Sequence, residues 1–149
     1  MDRKRELVEA EDRGWAELNA LIHPVPEQDL VRDGYYPDWS IKDMLAHIAS
    51  WFAECANIFE QLRMGTHRRE EVDVEALNRA WYETWRDKDL RMVRTELNAA
   101  RWSMLEGWDR LREIDEVADE WFRESGPEHY DEHLPRLREW VSELRADAR

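Results

Sequence analysis

The 149-residue chain is 42 % apolar and carries 35 acidic against 22 basic side chains, a formal net charge of −13. That length buries one substantial core and hardly two, so a single domain over 1–149 is expected. The charge offers neither nucleic acid nor an anionic membrane the cationic contacts that drive binding, and no run approaches the ~18 apolar residues of a bilayer span.

Five glycines, five prolines and an abundance of Glu, Arg, Leu and Ala favour helix over sheet. Leu7, Gly14, Trp15, Leu18, Leu21 and Ile22 recur at three- and four-residue steps, predicting a first helix over residues 3–22 that Pro24 and Pro26 stop. Residues 24–39 read as a connection with two turn-forming pairs, Asp33-Gly34 and Pro37-Asp38. Ser40, with Asp43 three residues on, is a short-armed capping box for a second helix. Its stripe runs Ile41, Met44, Leu45, Ile48, Phe52, Cys55, Phe59 and Leu62, and Gly65 ends it.

After the polar residues 66–72, Val74, Leu77, Trp81 and Trp85 mark a short helix over 73–86. Asp89 caps a fourth over 90–113, with Val93, Leu97, Ala100, Met104, Trp108 and Leu111 facing inward. The stretch through Glu124-Ser125-Gly126 reads as a polar connection. The last helix begins near Pro127 and buries Tyr130, His133, Leu134, Leu137, Trp140, Val141 and Leu144; Pro135 inside it predicts a kink near His133. Four long helices and one short one predict an all-α four-helix bundle, antiparallel or mixed. Met1-Asp2-Arg3-Lys4-Arg5 leads into a charged helix rather than an apolar signal core, and the lone Cys55 permits no internal disulfide. A cytoplasmic location is therefore expected.

Three histidines sit on apolar helix sides, where an unpaired imidazole is costly to bury. His129 and His133, spaced i, i+4, emerge about 40° apart and roughly 6 Å along one helix. Both can reach one ion at about 2.0–2.1 Å, and His47 from the second helix would complete a three-nitrogen face with open positions. The spacing alone leaves surface histidines, or histidines hydrogen-bonded in the core, as alternatives. Asp43 can orient the His47 ring or simply cap the helix. Cys55, about 12 Å along the helix from His47, cannot share an ion with it, since two ligands of one zinc stand at most about 4.5 Å apart. His23 and His67 read as exposed. Glu128 and Glu132 are candidate general bases or a solvated face, and Arg136 a carboxylate clamp or a surface ion pair. Trp51 and Trp140 line a pocket or pack the core.

Trp39-Ser40-Ile41-Lys42-Asp43 with Leu45-Ala46-His47 and Trp51, then Leu77-Asn78, then His129-Tyr130-Asp131-Glu132-His133-Leu134-Pro135 together resemble the DinB-like superfamily. That group includes the bacillithiol transferases, the amino-terminal domain of mycothiol-dependent maleylpyruvate isomerase and the ClbS/DfsB-like proteins. The resemblance implies a four-helix bundle with a divalent ion, zinc or nickel, on His47, His129 and His133. It also implies a low-molecular-weight thiol as co-substrate, activated as a thiolate. The Asn78 region and the His-Tyr-x-x-His-Leu-Pro ending suggest the ClbS/DfsB-like branch, which includes self-protection proteins that work without thiol chemistry.

Two functions are thus expected. One is a metal-dependent transferase or hydrolase that detoxifies an electrophilic small molecule, with metal-bound water or thiol as the reacting group and Glu132 and Arg136 as candidate helpers. The other is a non-enzymatic bundle that sequesters a small ligand. A homodimer is compatible with either.

Overall fold

A computed structural model describes residues 2–149, and among them the chain forms seven helices. They are α1 (Arg3–Ile22), α2 (Glu27–Leu30), α3 (Ile41–Met64), α4 (Val74–Trp85), α5 (Leu90–Arg110), α6 (Glu116–Ser125) and α7 (Pro127–Asp147). Five begin on a side chain that accepts a backbone N–H three residues on: Asp2, Ser40, Asp73, Asp89 and Asp115. Each such cap satisfies one of the donors a helix leaves unpaired and contributes about 1 kcal/mol. At the other end of α3, Gly65 takes the left-handed conformation, φ 72°, that lets the chain turn away.

The four long helices α1, α3, α5 and α7 make a bundle whose directions follow from pairs of contacts. Lys4 and Glu11 of α1 reach Asp109 and Arg101 of α5, so α1 and α5 are antiparallel. Glu11 and Glu17 meet Tyr130 and Arg138, so α1 runs parallel to α7. His47 meets His129 and Phe52 meets Tyr130 across α3 and α7. Lys42 bonds the Lys88 carbonyl just before α5, while Phe59 lies against Gly107 and Trp108 near its end, so α3 and α5 are parallel. The order is up, down, down, up. Joining the parallel α3 and α5 requires a long crossover, and residues 66–89, with α4 laid over α3, provide it.

The stripes expected for α3, α5 and α7 are buried, whereas that of α4 is only half-buried, with Val74 exposed. Seven of the eight stripe residues of α3 are inside, with Leu62 packed at the edge. At the end of the bundle far from His47, Phe59, Trp108 and Phe122 form an aromatic cluster, with Trp108 and Phe122 centroids 4.4 Å apart. One buried charge crosses this apolar interior. Glu11 is fully buried, accepts from the Tyr130 hydroxyl at 2.7 Å and pairs with Arg101 at 2.6 Å. Desolvation and the adjacent carboxylate push the Tyr130 hydroxyl pKa far upward, so it remains a donor.

Three expectations need correction. The stretch before Gly126 is not a connection but α6, whose Ala118, Phe122 and Ser125 are buried at helical spacing. The short α2 adds a further turn where only loop was expected, and the fourth helix stops at Arg110 rather than 113. Helix α7, expected to kink near His133, runs from Pro127 to Asp147 with Pro135 inside it. No helix among the described residues is long and apolar enough to cross a membrane.

Candidate metal centre

Helix α3 and the first two turns of α7 lie antiparallel, which brings residue 47 opposite residues 129 and 133. His47 Nε2 stands 2.9 Å from His129 Nε2, and His129 Nε2 stands 3.1 Å from His133 Nε2. One ligand atom from each of the three rings lies within 4.8 Å of the others. His129 and His133 are buried, 6 % and 5 % exposed, and His47 is half-buried under Trp39, whose ring centroid is 5.3 Å from its own. Cys55 is buried elsewhere in the core and is not part of this group.

Burial sets the protonation of the cluster. His47 is lowered to about 3, first by desolvation and then by the nearby His133. His129 lies well below its usual value, chiefly by desolvation and then by the other two rings, with the Ser125 backbone acting weakly the other way. His133 is also lowered by burial, against a small opposing effect of Glu132. All three are neutral at pH 7, which is the ligand form of imidazole.

The tautomer of His133 follows from its neighbours. The Tyr35 hydroxyl donates to the His133 carbonyl at 3.2 Å, so its oxygen accepts the His133 Nδ1–H at 3.0 Å. That leaves the Nε2 lone pair facing the other rings. Tyr35 is fully buried, and the loop that carries it is fastened to α7. Arg136 donates to the carbonyls of Gly34 and Tyr35 at 2.8 and 2.6 Å. Gly34, at φ +137°, lies so close to Trp140 that a Cβ would come within 2.4 Å of the indole.

These residues fit a divalent ion. Two nitrogens bound at ~2.05 Å to a tetrahedral ion stand ~3.3 Å apart, close to the spacings here. A single N–H on His129 Nε2 can serve only one of its two neighbours well, whereas a shared cation would use every lone pair.

His47 and His129 line a cleft of about 950 Å³ between α3, α4, α6, the start of α7 and residues 67–73. Trp51 forms one wall, donates to Asn78 Oδ1 at 2.8 Å and meets Trp81 edge-on at 4.8 Å. Trp121 of α6 faces the same space. Glu128 and Glu132 both line it, with Glu128 paired to Arg123 at 2.8 Å.

Several sequence readings resolve differently. Asp43 does not orient His47; its Oδ2 accepts from the Ser40 backbone N–H at 2.9 Å and the Ser40 hydroxyl at 3.1 Å. Arg136 is not placed to clamp a substrate, because its guanidinium holds the 34–35 loop and pairs with Glu143. Trp140 packs on that loop rather than in the cleft, and His67 is half-buried on the cleft wall against Gln61. Tyr35 and Trp121 were not anticipated. Only the Asp33-Gly34 turn just before Tyr35 hinted at a constrained loop there.

Residues 12–144 match the family described as Mycothiol maleylpyruvate isomerase N-terminal domain. The search of curated proteins finds no match. Among solved structures, an uncharacterised protein from Escherichia coli UTI89 superposes with a TM-score of 0.79 at 15 % identity, covering 95 % of this chain and 94 % of its own. A Streptococcus pneumoniae protein gives 0.78 at 14 %, covering 95 % and 92 %, and an uncharacterised one from Clostridium difficile 630 gives 0.77 at 14 %, covering 95 % and 97 %. At such identities the likeness establishes the fold alone. With 12–144 matched and the bundle shared throughout, the chain belongs to the mycothiol maleylpyruvate isomerase N-terminal domain family and has the DinB-like helical fold.

Proposed function

We propose that this protein is a divalent-metal-dependent enzyme that disarms an electrophilic small molecule by thiol transfer or hydrolysis. The convergence of three neutral imidazoles, two of which line an open cleft, carries the reading. His47, His129 and His133 would hold zinc or nickel. The ion would supply the positive charge that favours a thiolate or hydroxide nucleophile at neutral pH. Tyr35 fixes the His133 ring for ligation, an outer contact of the kind that tunes metal affinity. Glu132, on the cleft wall one residue before His133, would accept a proton from the nucleophile. Trp51 and Trp121 provide an apolar wall for the body of the substrate.

The same wall supports a second reading, sequestration of an apolar or aromatic ligand without chemistry. Elemental analysis of protein purified without a polyhistidine tag separates the two. The enzyme reading expects close to one ion per chain, lost in His47→Ala and His133→Ala, together with conjugation or hydrolysis that stops on chelation. Ligand binding by metal-free protein, with turnover unchanged by chelation, would contradict it.

A further inference from the structure

The side of α4 that faces α3 is apolar and aromatic except at Asn78. Trp81, Tyr82 and Trp85 follow that residue at three-, four- and seven-residue steps and are half-buried with it, Trp81 against Trp51 and Tyr82 stacked on Trp39. An amide at such a place costs desolvation that Leu or Met would avoid, so its hydrogen bonds must offset it. One of them lies within the protein. The Trp51 indole N–H can only donate, and at 2.8 Å it fixes the carbonyl end of the amide, Oδ1, toward α3.

That contact decides where the other end points. With Oδ1 held, the Nδ2 amino group turns away from the indole, and among the described residues it has no acceptor, yet it is not sealed in the core. Asn78 borders the large cleft together with His47, Trp51 and Trp121, and with His47 it also borders a second, small chamber of about 10 Å³. Oriented N–H donors therefore open on the same space as the apolar wall and the His47 ring.

We propose that Asn78 is a specificity-determining residue of the cleft, whose Nδ2–H donates to a carbonyl oxygen of the bound molecule while the apolar body of that molecule lies against Trp51 and Trp121. This rests on the same cleft as the functional reading and narrows its ligand to carbonyl compounds. A simple alkyl electrophile forfeits the bond and is disfavoured.

Acetophenone and α-methylstyrene test the inference, because the two share a shape and differ in a C=O against a C=CH2. Binding to the full-length, untagged protein, with and without equimolar zinc, is followed through the Trp51 indole N–H resonance. Asn78→Asp keeps an oxygen for the Trp51 N–H and has no N–H of its own. It should weaken acetophenone at least about fivefold, the loss of one neutral hydrogen bond, and leave α-methylstyrene unchanged, which also checks that the cleft is intact. Asn78→Leu removes the donor without adding charge and should lower the ratio of ketone to alkene affinity by about the same factor. Acetophenone bound by Asn78→Asp as well as by wild type overturns the inference and leaves Asn78 as a brace for Trp51. Equal losses for both probes, or no acetophenone binding at millimolar concentration, overturn it as well. A ketone preference that requires zinc but survives Asn78→Asp assigns the oxygen to the ion, which overturns the inference and keeps the metal reading. A loss on Asn78→Asp in protein that takes up no zinc supports the inference while removing the metal reading.

Discussion

The three histidines owe their chemistry to what surrounds them. His47 is lowered to about 3 and the other two also lie below their usual values, so each is neutral when folded and protonated at about 6.5 when unfolded. Between these limits the unfolded chain binds more protons than the native one, and stability therefore rises with pH. The metal-free protein should lose stability as pH falls from about 6.5, by up to ~1.4 kcal/mol per pH unit for each histidine. Urea midpoints at several pH values measure this, and His47→Gln should flatten the slope; a midpoint constant from pH 7 to 5 would oppose it. Tyr35 is the second determinant. Tyr35→Phe removes the oxygen that accepts the His133 Nδ1–H and should lower zinc affinity about 10- to 100-fold with helix content retained, by calorimetric titration. An affinity equal to wild type would mean that the hydroxyl only packs.

Helices were legible in the sequence where an apolar stripe and a cap coincided. Ser40 and Asp43 announce α3, and Asp89 announces α5, because a cap is a contact between near neighbours. Helix α6 escaped although Asp115 caps it, because half of its ten residues are charged and its buried face is only Ala118, Phe122 and Ser125. His47, His129 and His133 were legible from helical spacing and family-like motifs. Tyr35, 98 residues from its partner His133, was not, since nothing local couples a loop tyrosine to a histidine on another helix. Helix pairing also hides a charge no periodicity reveals. Glu11 sits in the α1 stripe and joins α1 to α5 and α7 through Arg101 and Tyr130. Glu11→Ala leaves a partly buried guanidinium and a buried hydroxyl without their partner, and should destabilise the fold by about 3–5 kcal/mol in denaturant titration. A loss below about 1 kcal/mol would show that water replaces the carboxylate.

Across the whole molecule, the up, down, down, up order makes the site possible. It runs α3 antiparallel to α7 with residues 47–52 against the first two turns of α7, and the crossover between the parallel α3 and α5 supplies α4 and residues 67–73 as one side of the cleft. The volume of that cleft is not a property of any single segment, which is why composition alone suggested only a generally acidic protein. The account depends on three imidazoles sharing one cation, and ¹⁵N spectra of the five histidine rings during zinc addition observe that directly. One equivalent of zinc should shift the Nε2 resonances of His47, His129 and His133 to metal-bound positions and leave His23 and His67 unmoved. Shifts confined to His23 or His67, or no shift at all at millimolar zinc, would contradict it.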